Sequence, residues 1–215
     1  MNLNYHYWYF TDIFSKKFLN KILKIGLAAK KQIAITGAQS RKSGVLRDLK
    51  KQPLTAIEKE ELKKTRASQV CWVTKDFIFD TILPYIKIAN KNAGWNFQFD
   101  WTEDAQFTVY KKNMHYDWHM DSWKEPYSDD SFPNYRGKIR KISSVLLLSD
   151  PKDFKGGELE FDFTNGGGAG KKIATEINKK GSLVVFPSFV KHRVRPVTQG
   201  TRYSMPMWYL GNPWQ

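Results

Sequence analysis

The sequence predicts a mainly β fold with supporting helices. Two observations carry that prediction. From Trp95 onward, short apolar-alternating runs follow one another, separated by clusters of Gly, Pro and Asp. Before Trp95, apolar residues recur at helical spacing between lysines. Many short strands with regular turn signals suggest a sandwich or barrel, with the helices packed on one face.

Taken in order, residues 5–10 are aromatic and form a candidate edge strand. Asp12 is placed to N-cap a helix to about Lys31, with Phe14, Phe18, Ile22 and Ile25 on its apolar face. Residues 36–44 are polar and turn-rich. The charged piece from Arg41 to Arg66 is expected to be mobile or to act as a flap, with a charged surface hairpin of helices as the alternative. Within it, Thr55 to Glu58 matches a capping box and predicts a short helix over 56–64. Residues 68–73 read as a strand. A helix is expected over 77–92, although Pro84 counts against its continuity and N-A-G-W at 92–95 ends it. The expected strands are then 96–101, 105–111, 114–121, 140–149, 157–163, 171–177, 182–187, 191–197 and 201–210. The glycines of 165–170 read as a hairpin tip, because no helix signal follows them as a phosphate loop requires.

The chain has 215 residues, enough for one cored domain with accessory elements. We divide it into a basic, helical support region at 1–66 and a β domain at 67–215. One cysteine, Cys71, excludes an intramolecular disulfide framework and a cysteine-based zinc site. No stretch approaches a membrane span, and the first residues lack a signal-peptide pattern. A soluble cytoplasmic protein is the expectation. Net charge is +14 and uneven. Residues 1–75 hold 16 Lys and Arg against 5 Asp and Glu; the remainder holds 19 against 16. That excess could favour nucleic acid, a ribonucleoprotein or an acidic substrate. No nucleic-acid motif accompanies it, so a solvated helical surface is the preferred reading.

Chemistry concentrates in Tyr110–Asp121, Y-K-K-N-M-H-Y-D-W-H-M-D. On a strand, residues i and i+2 face the same side, so His119 and Asp121 present two ligands to one point. A third must come from elsewhere, and His192, after the apolar run 181–188, is the candidate. Two histidines and a carboxylate on one face of a metal form the facial triad of non-haem Fe(II) oxygenases. Ten residues beyond His192 stands Arg202. An enzyme that uses iron and a keto-diacid needs such a group, because a carboxylate entering a dry pocket must be paired and arginine offers a bidentate fork. His115 and Asp117 repeat the H-x-D pattern in the same parity, and strand geometry alone does not choose between the pairs. His6 is read as structural. Trp118, Trp123 and Trp208 are read as packing before cleft lining. The loop 122–138 is a candidate substrate lid.

The motifs Y-x5-Y-x2-H-x-D (Tyr110, Tyr116, His119, Asp121), R-K-I-S-S-V-L-L-L-S-D (140–150), G-G-E-L-E-F (156–161) and F-P-S-F-V-K-H-R-V-R-P-V-T-Q-G-T-R-Y-S (186–204) go further. Over about residues 66–214 the chain resembles the prolyl-hydroxylase-like (PKHD-type) 2-oxoglutarate/Fe(II)-dependent dioxygenases. The resemblance implies a double-stranded β-helix, or jelly roll. It implies Fe(II) on His119, Asp121 and His192, and 2-oxoglutarate held by Arg202 and Tyr110, with Ser204 assisting. O2 as co-reactant and ascorbate as reductant belong to the same implication. The spacing from Tyr110 and Tyr116 selects the second H-x-D pair. Asp121 argues against a halogenase, and Trp208, where nucleobase-repair relatives carry a second arginine, argues against repair. The implied reaction is hydroxylation of an unactivated C–H bond, with a prolyl residue of a protein or peptide as the favoured substrate. Three competitors remain: the same chemistry on a free small molecule or a nucleic-acid-associated substrate, a cupin-like metal enzyme that does not use 2-oxoglutarate, and a catalytically inactive jelly-roll binding protein.

Overall fold

A computed structural model describes residues 3–36, 41, 42, 45, 46, 52–122, 125–128, 133–164 and 170–214. Among these, the architecture has three layers: helices, a large antiparallel sheet, and a small antiparallel sheet. The large sheet runs β1 (Trp8–Phe10), β14 (Leu183–Pro187), β10 (Ile139–Leu147), β16 (Val197–Gly211), β8 (Ala105–Lys111), β6 (Gln69–Val73) and β2 (Gln32–Ile33). Two short strands, β7 (Trp101–Thr102) and β11 (Phe154–Gly156), also pair with β16. The small sheet runs β13 (Lys171–Ile173), β12 (Leu159–Asp162), β15 (Lys191–Val194), β9 (His115–His119) and β5 (Arg66–Ala67). A separate two-stranded ladder joins β3 (Arg41–Lys42) to β4 (Val45–Leu46).

Strand alternation divides the core in two. On β8, Phe107 and Val109 face the helices, whereas Tyr110 belongs to the cluster between the sheets. On β14, Leu183 and Val185 face the helices, and Val184 and Phe186 face the small sheet. The period of two thus gives one sheet two apolar faces. The helix side receives Leu19 and Ile22 of α1 (Lys16–Ala28) and Ile78, Ile82 and Ile86 of α3 (Asp76–Asn92). The other face is left for the site.

Several local expectations need correction. Helix α1 begins later than expected, capped by the Ser15 hydroxyl, which accepts from the Phe18 N–H; Asp12 instead sits at a positive φ of 58°. Helix α3 runs through Pro84 without a break. Pro84 is exposed, so the carbonyl it strands faces water, while Ile78, Ile82 and Ile86 hold both halves to the sheet. Residues 96–100 form no ladder. Their alternating burial reports packing, and the Asn90 amide takes the Phe97 N–H and carbonyl that a neighbouring strand would otherwise pair. The strand expected over 171–177 stops at Ile173 and gives way to a short 3₁₀ turn. The helix α2 (Ala56–Thr65) carries the expected capping box, with Thr55 and Glu58 bonded reciprocally. Residues 43, 44 and 47–51 of the 41–66 flap and all but one residue of the 165–170 glycine tip lie outside the described residues.

The N-terminal residues are woven into both sheets. β1 pairs with β14, β2 with β6, and β5 with β9, so the boundary drawn at 66/67 falls inside a strand. No helix among the described residues is long and apolar enough to cross a membrane.

The seat of α1 depends on Gly26. A Cβ there would stand 2.1 Å from the Phe107 ring, a distance no packed pair tolerates. Gly26→Ala is therefore expected to lower stability by about 1–3 kcal/mol through overpacking, despite alanine's better helix propensity. Urea titration of the two proteins measures it; an unchanged or raised midpoint would show that α1 shifts freely.

Candidate active site

β9 carries the first candidate ligand, His119, and ends on it. Register pairs His119 with His192 and Tyr116 with Val194. Two steps on β15 thus match three on β9, which is a β-bulge. The extra residue breaks the parity that made the two H-x-D pairs look equivalent. Tyr116 and His119 end up together, their rings stacked with centroids 3.5 Å apart and 12° between planes. His115 turns away to the Lys64 carbonyl, and Asp117 lies outside beside Arg193, 4.0 Å distant.

His119, Asp121 and His192 converge, with their ligand atoms all within 4.8 Å of one another. His119 Nε2 lies 3.7 Å from one Asp121 oxygen, and His192 Nε2 lies 3.6 Å from the other. Those distances are too long for good hydrogen bonds and short enough for one ion to bridge. Each imidazole is oriented by its other nitrogen. His119 Nδ1 is 2.8 Å from the Asp117 carbonyl, and His192 Nδ1 is 3.0 Å from the Val190 carbonyl. A carbonyl only accepts, so Nδ1 carries the hydrogen and Nε2 offers its lone pair to the centre. Burial, helped by the neighbouring His192, pushes the His119 ring down to about 3, so it is neutral and ready to ligate.

Asp121 lies just past the strand and is 8% exposed. Its backbone N–H donates to the Ser188 carbonyl, and its Oδ2 accepts from the Ser143 hydroxyl at 2.7 Å. Ser143 is itself 2.9 Å from the Ser188 hydroxyl. Burial pushes the Asp121 carboxyl up, but the two imidazoles, Arg140 and Ser143 together outweigh it and hold it at about 2. The site therefore keeps an ionised oxygen ligand in a dry position.

The arginine stands on the large sheet. β16 and β8 pair Arg202 with Tyr110 and Ser204 with Thr108. Arg202 is 4% exposed, and no carboxylate pairs with it among the described residues. Its Nη1 donates to Ser204 Oγ at 2.9 Å, and its guanidinium lies 5.6 Å from the centre of the Tyr110 ring. Burial pulls its pKa down, with Tyr110 and Glu158 opposing. It lines a cavity of about 120 Å³ with Val145, Leu159 and Ser182; His119, Asp121 and His192 are not part of that lining. Tyr110 is buried, and its hydroxyl meets Ser68.

Other residues enter beside these. Gly157, from the G-G-E-L-E-F motif, has a φ of 68°, and a Cβ there would meet Arg202 Cδ at 2.9 Å, so it serves both the turn and the close approach to the guanidinium. Arg66 lies over the Tyr116 ring, 4.4 Å from its centre. Glu103 forks to Arg140 through Nε at 2.7 Å and Nη2 at 2.5 Å, and the Tyr127 hydroxyl donates to the same carboxylate. Arg66 and Glu103 had no spacing signal, because each arrives from a different stretch. Trp208 packs under Arg140, 3.9 Å from guanidinium to ring centre, and Trp118 lies outward against Arg193. Trp123 and part of the loop 122–138 lie outside the described residues. His6 packs tilted against Phe163, a structural setting.

Comparison with known proteins gives this geometry its context. Residues 105–210 match the model of the 2OG-Fe(II) oxygenase superfamily. A PKHD-type hydroxylase of Teredinibacter turnerae is 37% identical over 103 residues, 48% of this chain and 41% of the relative. One from Xylella fastidiosa is 35% identical over 110 residues, 50% of this chain and 44% of the relative. The chain thus aligns with less than half the length of these relatives. Among solved structures, the viral collagen prolyl hydroxylase of Paramecium Bursaria Chlorella virus-1 superposes with a TM-score of 0.60 at 17% identity, covering 97% of both chains. A Pseudomonas putida prolyl-4-hydroxylase gives 0.58 at 18%, covering 96% of this chain and 92% of the other. The two facing sheets are accordingly a double-stranded β-helix, and the segment 105–210, with His119, Asp121, His192 and Arg202 inside it, matches the 2OG-Fe(II) oxygenase superfamily.

Proposed function

We propose that this protein is a 2-oxoglutarate- and Fe(II)-dependent oxygenase that hydroxylates an unactivated C–H bond, most favourably in a prolyl residue of a protein or peptide. One observation carries the reading. Two imidazoles and a buried carboxylate converge on one point, and on the large sheet stands a buried guanidinium that no carboxylate pairs with among the described residues. The donor set suits a metal that accepts nitrogen and carboxylate ligands and keeps open positions. The orphaned Arg202 suits the far carboxylate of a keto-diacid, since a buried cation without an anion is costly. In this reading residues 67–215 carry the chemistry and 1–66 support it.

His119, Asp121 and His192 hold the metal. Arg202 receives the tail carboxylate, Ser204 orients the guanidinium, and the Tyr110 hydroxyl stands ready to donate to the same cosubstrate. Bound iron with 2-oxoglutarate and O2 supplies the oxidising power for hydroxylation, with succinate and CO2 as coproducts. The residues supply a dry pocket, fixed ligand orientation and a neutralised tail. Peptide chemistry is favoured because a structural neighbour, the Trichoplax adhaerens prolyl hydroxylase (TM-score 0.60, 13% identity), is bound to a hypoxia inducible factor peptide fragment. A cytoplasmic setting, ascorbate as reductant and proximity to nucleic acid rest on the sequence alone.

Succinate release with prolyl peptides, free proline and other small metabolites tests the substrate. Turnover of a metabolite with none on any prolyl peptide would overturn the prolyl part. Mn(II) at a hundredfold excess over its Kd is expected to stabilise the wild type by about 2.7 kcal/mol, and Asp121→Ala to abolish that gain. An absence of Mn(II)-induced stabilisation in the wild type would argue for an inactive binding protein. Arg202→Met is expected to raise the KM for 2-oxoglutarate by roughly 10²-fold while metal binding holds. Undiminished turnover in that variant would point to chemistry without the cosubstrate. Ser143→Ala removes the hydroxyl that Asp121 accepts from, and Mn(II) affinity is expected to fall about tenfold by calorimetry.

A further inference from the structure

Arg66 is 8% exposed, and no carboxylate pairs with it among the described residues. Three of its N–H groups donate to neutral oxygens instead: Nε to Ser68 Oγ at 3.1 Å, Nη1 to the Ile35 carbonyl at 3.0 Å, and Nη2 to Gln106 Oε1 at 2.8 Å. Those bonds fix the guanidinium. It lies 4.4 Å from the centre of the Tyr116 ring, and Tyr116 stacks on His119. The ladder enforces the first contact, because Arg66 and Tyr116 are register partners between β5 and β9 and so share a face. The result is a column of guanidinium, phenol and imidazole that leads from the outermost strand of the small sheet to a candidate metal ligand.

The column supplies what the hydrogen bond of His119 lacks. The Asp117 carbonyl restrains the ring along its Nδ1 edge, and that bond puts nothing against the ring's face. A stacked neighbour fixes the plane. Tyr116 can do this only if its own ring is held, and Arg66 holds it through a cation–π contact with a guanidinium that three acceptors keep in place. We infer that Arg66 is a positioning residue for His119, acting through the ring of Tyr116, so that Nε2 stays aimed at the centre shared with Asp121 and His192. The inference rests on the reading of those three residues as a metal site. The Ser68 hydroxyl that takes the Arg66 Nε–H also meets Tyr110, so replacing Arg66 disturbs the cosubstrate side too. For that reason the probe is the metal alone.

The test is Mn(II) affinity by calorimetry, without cosubstrate, alongside the unfolding midpoint of each variant. Tyr116→Phe keeps the ring and is expected to bind within about twofold of the wild type. Tyr116→Leu and Arg66→Met are each expected to weaken binding about tenfold. Because Arg66 acts through the ring, Arg66→Met is expected to cost less than about twofold further when introduced into Tyr116→Leu. A role confined to pinning β5 would lower the unfolding midpoint and leave Mn(II) affinity in place. The inference is overturned if Tyr116→Leu binds as tightly as the wild type, or if the two substitutions multiply. Should Arg66→Met fail to fold, the contrast between Tyr116→Phe and Tyr116→Leu decides. Failure of the metal reading shows separately, as a wild type that takes up no Mn(II).

Discussion

An ionised carboxylate in a dry cleft is the constraint around which the site is arranged. Asp121 is nearly buried, and its charge is held there by the Ser143 hydroxyl and, further off, Arg140, beside two imidazoles that turn their Nε2 lone pairs toward the same centre within 4 Å. These groups come from three strands. β9 brings His119, β15 brings His192, and β10 brings Ser143, with Ser188 following β14. The two sheets must therefore be closed on each other before the carboxylate is tolerated. Sheet closure and ligand assembly are one event, so a mutation that loosens the interface between the sheets also disperses the ligands.

The large sheet manages this by having two apolar faces. Its helix-side face is anchored by α1 and α3, and its inner face carries Tyr110, Ser143, Arg202 and Ser204 beside the aromatic cluster of Phe161 and Phe186. Burial on that face explains why Arg202 lacks water, and the β16–β8 register explains why Tyr110 and Ser204 are its neighbours. Gly157 allows the guanidinium stem to pass where any side chain would collide.

Much of this was legible from residue order. The mainly β core, the capping box of α2 and the H-x-D…His…Arg order all follow from local patterns that a chain displays along its length. Where reading failed, the cause was a long-range partner. Residues 96–100 alternate in burial like a strand, yet Asn90 takes the backbone bonds a strand would make. Pro84 forbids a helix interior on local grounds, yet sits on the wet side of a helix held by its other face. The two H-x-D pairs were degenerate because parity assumes an unbroken ladder, and a bulge between Tyr116 and His119 breaks it. Arg66 and Glu103 gave no signal, since nothing near them in sequence resembles the surroundings they meet in space.

The bulge does more than settle which pair is which. An unbroken β9 would set Tyr116 and His119, three residues apart, on opposite faces. The inserted residue turns both the same way, which is the only arrangement that lets their rings stack. On its other side Tyr116 is in register with Arg66 of β5, while Asp117 and Trp118 are left outside among Arg193 and its neighbours. One irregular step in a five-residue strand therefore selects the ligand, supplies the ring that stacks on it, and ties both to a strand from the N-terminal region. The register of β9 against β15 is thus the step on which the whole site turns.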